Sequence, residues 1–208
     1  MLTLHMLEYS RALRIVWLLE ALGTPHEVVR YARDAQMHAP PSLKKVHPLG
    51  KSPVIVDGDL TLAESATILR YVHNSYGNGR FTPEKGSNAH ALHEEWLDYV
   101  ESSAMQPVTI SLMARLRGGV GATMTDMADT AIPQALNYIA EGVGAKPFLM
   151  GDEPMLADIQ MTYLLALAEA AGVLADFPQV AAYWQRLQDH PGFRRAVDVA
   201  GPMMPPKA

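Results

Sequence analysis

Apolar and polar positions divide the chain into two parts with different periods. At the start, Leu2, Leu4 and Met6 alternate with Thr3 and His5, and this period of two predicts a short strand. Over residues 11–22 the apolar Ile15, Leu18, Leu19 and Leu22 recur at i, i+3, i+4 and i+7, which places them on one helix face. Ser10 stands at the expected N-cap of that helix and Gly23 at its C′ position. Residues 26–31 (HEVVRY) predict a second strand. The loop Ala39-Pro40-Pro41 leads to Ser42, placed to cap a short helix through Val46, and His47-Pro48-Leu49-Gly50-Lys51-Ser52-Pro53 is loop punctuation. Residues 53–60 read as a strand, an Asp57-Gly58 turn and a further strand, and residues 64–76 as a helix. The order β-α-β-α-β-β-α over residues 1–76 defines a small mixed α/β domain with helices packed on a sheet.

Three glycines and a proline fall within residues 74–87, and residues 77–87 are expected to be a linker. Beyond it only the helical period remains, so residues 88–208 predict an all-α domain. One long helix is expected from 88 to about 117, ended by Gly118-Gly119, and another from 125 to about 141, where Pro133 predicts a kink or break. Residues 156–171 carry Ala157, Met161, Leu164, Leu165 and Ala168 on one face. Helices over 178–189, with Pro178 suited to the first position, and over 191–199 complete the set. The tail GPMMPPKA is expected to be loose.

Composition then narrows the chemistry. With 17 basic and 22 acidic residues among 208, the formal charge is −5, which argues against a nucleic-acid surface. Apolar residues make up 49%, enough for a real core. The sequence contains no cysteine, which rules out disulfides, thiolate metal sites and an enzyme-borne thiol nucleophile. The N-terminus has no apolar run of the export type, and the most apolar stretch, residues 159–174, carries Gln160, Thr162 and Glu169 and is too short to span a membrane. A cytoplasmic protein is expected.

SRALRIVWLLEALG from residue 10, VHPLGKSPVIVDGDLTLAESATILRYV from residue 46 and GDEPMLADIQM from residue 151 resemble the soluble glutathione transferases of bacterial and fungal type. The likeness covers nearly the whole chain. It implies a thioredoxin-like N-terminal domain, an all-helical C-terminal domain, a homodimer, and transfer of the glutathione thiolate to small hydrophobic electrophiles. Glutathione would be a co-substrate, with no other cofactor.

The resemblance also assigns roles. A proline that opens a strand donates no backbone hydrogen bond. In the family the bond before it, here Ser52–Pro53, is cis, and an extended peptide pairs beside it like an added strand. Val54 would take the cysteinyl backbone of glutathione, with Ser52 and Pro53 beside it. Glu64 and Ser65 open a helix eleven and twelve residues after Pro53, across one hairpin. Free N–H groups and the positive dipole end suit the γ-glutamyl carboxylate on Ser65, and Glu64 would hold the ammonium or orient the turn. Lys51 would reach the glycyl carboxylate. At the first strand-helix junction Ser10 matches the family position that donates to the sulfur, with Tyr9 the second candidate and Arg11 a further donor; Ser10 as a plain cap of its own helix is the competing reading. The family usually places Ser or Thr three residues before Asp158 as half of a reciprocal helix cap, but here that position is Met155.

In the helical half Met105, Thr109, Met113, Leu116 and Arg117 follow helical spacing and are expected to wall an electrophile pocket. Asp98 and Glu101 are candidates to reach a partner's glutathione site. Trp96 and Tyr99 read as core or dimer-facing residues. His90, His93 and Glu94 have the i, i+3, i+4 spacing of metal ligands, but no third ligand cluster accompanies them and no metal is expected. Gly50-Lys51-Ser52 lacks the upstream glycine of a phosphate loop, since Lys45 occupies that position, so nucleotide binding is rejected. Three rival activities remain. Disulfide or dehydroascorbate reduction normally needs a cysteine; a glutathione peroxidase needs only the activated thiolate; a binding protein or scaffold would keep the fold without turnover.

Overall fold

The computed structural model describes residues 1–206, so the last two residues of the expected loose tail lie outside it. The chain forms two compact units: Met1–Phe81 together with the segment that begins at His190, and Thr82–Asp189. In the first unit β1 (Leu2–Leu7) pairs in parallel with β2 (His26–Tyr31), from Leu2 opposite His26 to Leu7 opposite Tyr31. On its other side β1 pairs antiparallel with β3 (Val54–Asp57), and β3 pairs antiparallel with β4 (Leu60–Ala63), giving the order β2-β1-β3-β4. The register sets Asp57 opposite Leu60, so the hairpin loop is Gly58-Asp59, one position later than expected. Gly58 takes φ 58° at the first loop position, where a residue with a Cβ is disfavoured.

The helix α1 (Leu13–Leu22) starts two residues later than the periodicity suggests, and it ends on Gly23 in the left-handed region at φ 67°. Every residue from Leu13 to Leu19 is buried, Arg14 and Trp17 included. An amphipathic stripe would leave one side wet. Here the second side is covered by α8 (Pro191–Ala200), with the Trp17 ring centroid 5.4 Å from His190 and 5.7 Å from Phe193. A side chain at Gly192 would collide with the Trp17 indole, so glycine is what permits this approach. The last helix therefore packs with the sheet unit, although the sequence grouped it with the other helices. Met203 in the expected loose tail is buried as well. The short helix Pro41–Lys45 is of the tight 3₁₀ kind and starts on Pro40 without a cap from Ser42. The helix α2 (Ser65–Tyr76) follows β4 directly.

In the second unit α3 (Asn88–Tyr99) is capped by Ser87, whose Oγ accepts the His90 N–H at 3.0 Å. The single long helix expected to run to residue 117 is instead α3, a widened π segment Val100–Ala104, and α4 (Met105–Arg117). Pro107 accounts for the widening, since it has no N–H and its ring crowds the carbonyl four residues back, at Ser103. The helix α5 (Ala122–Val143) runs unbroken through Pro133. The helices α6 (Leu156–Ala171) and α7 (Pro178–Asp189) have the expected bounds.

The start of α6 shows how the chain manages without a hydroxyl at Met155. Asp158 Oδ2 accepts the Met155 N–H at 2.9 Å, and Oδ1 accepts the Leu149 N–H at 3.0 Å and the Tyr183 hydroxyl at 2.6 Å. His93 of α3 supplies a further acceptor, its Nε2 taking the Ala157 N–H at 3.2 Å. An imidazole from another helix thus satisfies an N-terminal donor that a cap residue would ordinarily take. Burial lifts the Asp158 carboxyl above the usual carboxylate range, against the hydrogen bonds that oppose the shift. Asp158→Ala leaves three donors, two of them buried, without an acceptor and is expected to cost about 3 kcal/mol or more, whereas His93→Phe leaves one orphan N–H and costs about 1–2 kcal/mol. Thermal melts of the two variants check the order; at roughly 2–4 °C per kcal/mol for a chain of this size, Asp158→Ala melts markedly lower.

Candidate functional site

The end of β1 and the start of α1 form a compact polar junction. Ser10 has one proton, and its Oγ donates to the Leu7 carbonyl at 2.6 Å while accepting the Ala12 N–H at 3.2 Å. Acceptance from an N–H two residues on is a local serine turn. It displaces the start of α1 to Leu13, with Ala12 and not Ser10 at the N-cap. Ser52 reaches the same place from the loop before β3, the strand that pairs with β1. Its Oγ accepts the Leu7 N–H at 3.0 Å, donates to the His5 carbonyl at 3.2 Å, and lies 3.4 Å from Ser10 Oγ. Both serine protons are directed at β1 carbonyls, so the two hydroxyls are neighbours without a strong bond between them. Ser10 is 8% exposed. A small cleft beside it is lined by Tyr9, Leu13, Gly201 and Pro202.

The Ser52–Pro53 peptide is cis, as the resemblance implies. The structure corrects the role given to Val54. That residue lies in β3, an inner strand, opposite His5 on one side and Ala63 on the other. A further strand cannot be added at a position flanked on both sides, and the Val54 side chain is fully buried. Ser52 stands before the proline and outside the ladder.

At the far end of the hairpin, Ser65 is the first residue of α2 and is buried to 5% exposure, while Glu64 is exposed at the N-cap. Glu64 takes φ 70° and ψ 116°, a conformation non-glycine residues seldom adopt. The first N–H groups of α2, which have no partner within the helix, begin at this turn. Tyr9 is also left-handed, at φ 51°. Arg11 is half-buried, and its carbonyl accepts the Arg14 N–H at 3.2 Å in the turn that opens α1. Lys51 is exposed after Gly50, in the loop before Ser52. Ser10, Ser52, Pro53, Glu64 and Ser65 thus belong to one unit and are linked by β1, β3 and the hairpin.

The other candidates lie in the second unit. On α4, Met105 is buried, Met113 half-buried and Arg117 exposed, and the Thr109 hydroxyl donates back to the Met105 carbonyl at 2.8 Å. Leu116 is 68% exposed. Asp98 and Glu101 are exposed on α3 and the π segment. Trp96 stacks on Tyr138 with centroids 4.7 Å apart and meets Tyr99 edge-on at 5.4 Å. Burial pushes the Tyr99 phenol up to about 12. His93 turns inward to α6 and does not join His90 and Glu94 in a metal site; among the described residues no group of three or more His, Asp or Glu side chains is placed to hold an ion.

Two features were missed by the sequence reading. Ser52 is a structural strut as well as a ligand candidate, and the signal for this was its place before a strand-opening proline that cannot donate to the ladder. Arg33 bonds to the β1–α1 junction, and a single arginine after a strand gives no periodic signal at all.

A four-stranded sheet in the order β2-β1-β3-β4, its inner strand opening on a cis proline, with one helix starting beside it and another across its hairpin, defines a thioredoxin-like domain. Residues 1–74 match the family model described as Glutathione S-transferase, N-terminal domain, and residues 120–195 match Glutathione S-transferase, C-terminal domain. The chain belongs to the glutathione S-transferase family, a family of enzymes. It is 33% identical over 148 residues to Glutathione S-transferase 1 of Saccharomyces cerevisiae, a match that covers 68% of this chain and 59% of that protein. Against Glutathione S-transferase 3 of Schizosaccharomyces pombe it is 29% identical over 212 residues, covering 95% of this chain and 87% of the other. A crystal structure of a glutathione S-transferase from Actinobacillus pleuropneumoniae superposes with a TM-score of 0.87 at 30% identity, over 96% of this chain and 93% of that one.

His5, whose carbonyl accepts the Ser52 hydroxyl, sets its ring Nδ1 2.9 Å from the Tyr31 hydroxyl, and burial lowers its pKa. The fold therefore favours the neutral ring. That contribution is full above the unfolded value of about 6.5 and is lost as pH falls through the lowered folded value. Urea denaturation between pH 8 and pH 5 is expected to show a fall in stability below about pH 6.5, and His5→Gln should flatten it.

Proposed function

We propose that this chain binds glutathione, ionises its thiol and transfers the thiolate to a small hydrophobic electrophile. The observation that carries this reading is the convergence of the Ser10 and Ser52 hydroxyls, 3.4 Å apart, beside the proline that opens β3, with Ser65 at the start of α2 across the hairpin. The peptide's cysteinyl backbone would lie against Ser52 and Pro53, its γ-glutamyl carboxylate against the Ser65 N–H and hydroxyl with Glu64 toward the ammonium, and its glycyl carboxylate toward Lys51. Ser10 would then face the sulfur, with Tyr9 and Arg11 beside it.

The hydrogen-bonding of Ser10 limits what it contributes. To donate to a thiolate it must turn its proton away from the Leu7 carbonyl. A neutral hydrogen bond of net worth about 0.5–1.5 kcal/mol is exchanged for a charge-assisted one of about 1.5–3 kcal/mol. The gain is about 1 kcal/mol, or somewhat less than one pKa unit. The N-terminus of α1 adds about 0.3–1 kcal/mol in favour of a nearby anion. Together these bring a thiol of pKa about 8.5 to about 7–7.5, enough to ionise a large share of bound glutathione at neutral pH. Proximity of the two bound substrates supplies the remainder of the rate, and no covalent enzyme intermediate is needed.

The electrophile pocket is assigned to the α4 face of Met105, Thr109, Met113 and Arg117, whose pliant methionines suit varied apolar substrates. Glutathione serves as co-substrate and no resident cofactor takes part. A homodimer in the cytoplasm that disposes of reactive electrophiles is the setting proposed. Support for self-association comes from apolar side chains of the second unit left exposed: Leu92 at 54%, Leu116 at 68% and Met127 at 53%. No helix is long and apolar enough to cross a membrane among the described residues.

Retention on immobilised glutathione, thiolate ultraviolet titration of the bound peptide, and conjugation to an aryl halide, epoxide or isothiocyanate test this reading. Ser10→Ala is expected to raise the bound thiol pKa by about half to one unit and to slow conjugation about tenfold, with little change in glutathione affinity. A wild type that retains glutathione but conjugates none of the three electrophile classes would be a binding protein instead.

A further inference from the structure

We propose that Arg33 is a positioning residue for the sulfur site, its guanidinium clamping the main chain of Glu8 and Tyr9 so that Ser10 is held where its hydroxyl can meet the thiol. The inference rests on the function proposed above.

The guanidinium makes three bonds, all to main-chain carbonyls. Nε donates to Glu8 O at 2.9 Å, Nη2 to Tyr9 O at 3.3 Å and Nη1 to Met37 O at 2.8 Å. The backbone N–H of Arg33 adds a contact to the Glu8 carboxylate at 3.3 Å, and the Glu8 N–H donates to Tyr31 O at 3.0 Å. Two consecutive carbonyls, those of Glu8 and Tyr9, are therefore fixed on either side of a tyrosine held at φ 51°. Tyrosine in that region is disfavoured, so the surroundings must over-determine it. Ser10 is the next residue, and its own bonds to Leu7 O and Ala12 N–H constrain only the side facing the sheet and helix.

The third carbonyl anchors the clamp. Met37 belongs to a turn organised by Asp34, whose Oδ1 accepts the Gln36 N–H at 2.9 Å and the His38 N–H at 2.8 Å. The Met37 N–H donates to the Asp34 carbonyl at 2.9 Å, and the Asp34 N–H donates to His38 O at 3.1 Å. A self-contained turn beyond β2 thus holds one arm of the guanidinium while the other two hold the junction. Only a planar fork with several fixed donors can bridge carbonyls in three directions. A lysine ammonium keeps the charge but is a point donor on a flexible stem. This separates a positional role from a purely electrostatic effect of a nearby cation on the thiolate.

The test uses the full chain with saturating glutathione and reads three quantities for wild type, Arg33→Lys and Arg33→Met. These are the pH at which the bound thiolate band is half developed, the split of conjugation between kcat and KM for glutathione, and amide hydrogen exchange over residues 8–12. The clamp predicts that both variants raise the thiolate midpoint by about half a unit or more, lower kcat about fivefold to tenfold, change KM less than about threefold and speed exchange over residues 8–12. Rescue of the midpoint and kcat by lysine overturns the inference in favour of charge alone, and wild-type values in both variants overturn it outright. A wild type with no thiolate band at any pH below that of free glutathione overturns the function proposed above and the inference with it, a result recognised before any variant is made.

Discussion

The site depends on one side chain replacing a piece of β-ladder. Pairing of β1 with β3 ends at His5 opposite Val54, because the residue before Val54 is a proline and has no N–H to contribute. Leu7 would then leave a donor near the end of the sheet with nothing to meet it. The Ser52 hydroxyl fills that position, accepting from Leu7 N–H and donating to His5 O. The ladder is completed by a side chain, so the main chain of Ser52 stays out of the sheet. The same hydroxyl links the proline loop to the β1–α1 junction, and within the first unit Ser65 and Ser10 follow from these two. Ser65 enters through the hairpin that β3 begins, and Ser10 through the carbonyl of Leu7, whose amide Ser52 holds.

Legibility in the sequence followed the range of the interactions involved. The strand 26–31 and the helices 156–171 and 178–189 could be read because glycine, proline and hydrophobic period mark them locally. Gly23 and Gly172 end their helices in the left-handed region that only glycine enters freely. The start of α1 was misplaced by two residues because a serine before a helix can either cap it or form a turn of its own, and Ala12 N–H decided between them. The π segment 100–104 was hidden because Pro107 falls inside a continuous apolar period, and the period hides the missing donor. The last helix could not be assigned to its unit from a period, since what draws it to α1 is the Trp17 ring and the absence of a side chain at Gly192.

The candidate site shows the same division. The spacing from Pro53 to Ser65 reflects chain reach across one hairpin and survives in three dimensions. Val54 was misjudged because sequence shows that a strand exists but not whether it is an inner strand or an edge. The helix order alone leaves that open, and the antiparallel pairing on both sides of β3 closes it. Arg33 acts over 24 and 25 residues of separation on main-chain atoms, which carry no residue identity for a sequence reading to detect.

The polar interior of the two units follows one rule: a donor left over by backbone geometry is met by a side chain from a distant element. In the first unit Ser52 meets Leu7. In the second, the Met155 cap position offers no oxygen, and His93 and Asp158 together answer the first N–H groups of α6, with Tyr183 closing the carboxylate from α7. Such repairs bind elements more tightly than a local cap, because loss of the acceptor exposes a donor on one helix and frees a side chain on another. They also differ in what they permit. The carboxylate of Asp158 is fully buried and ties the start of α6 to Leu149 and to Tyr183 of α7. The Ser10 hydroxyl engages a carbonyl through its single proton, a bond that an anion of sufficient charge can outcompete. A polar group can therefore serve the fold and remain available for chemistry only where its native partner is neutral and replaceable. Among the polar contacts of the first unit, the Ser10–Leu7 bond meets that condition at the start of a helix.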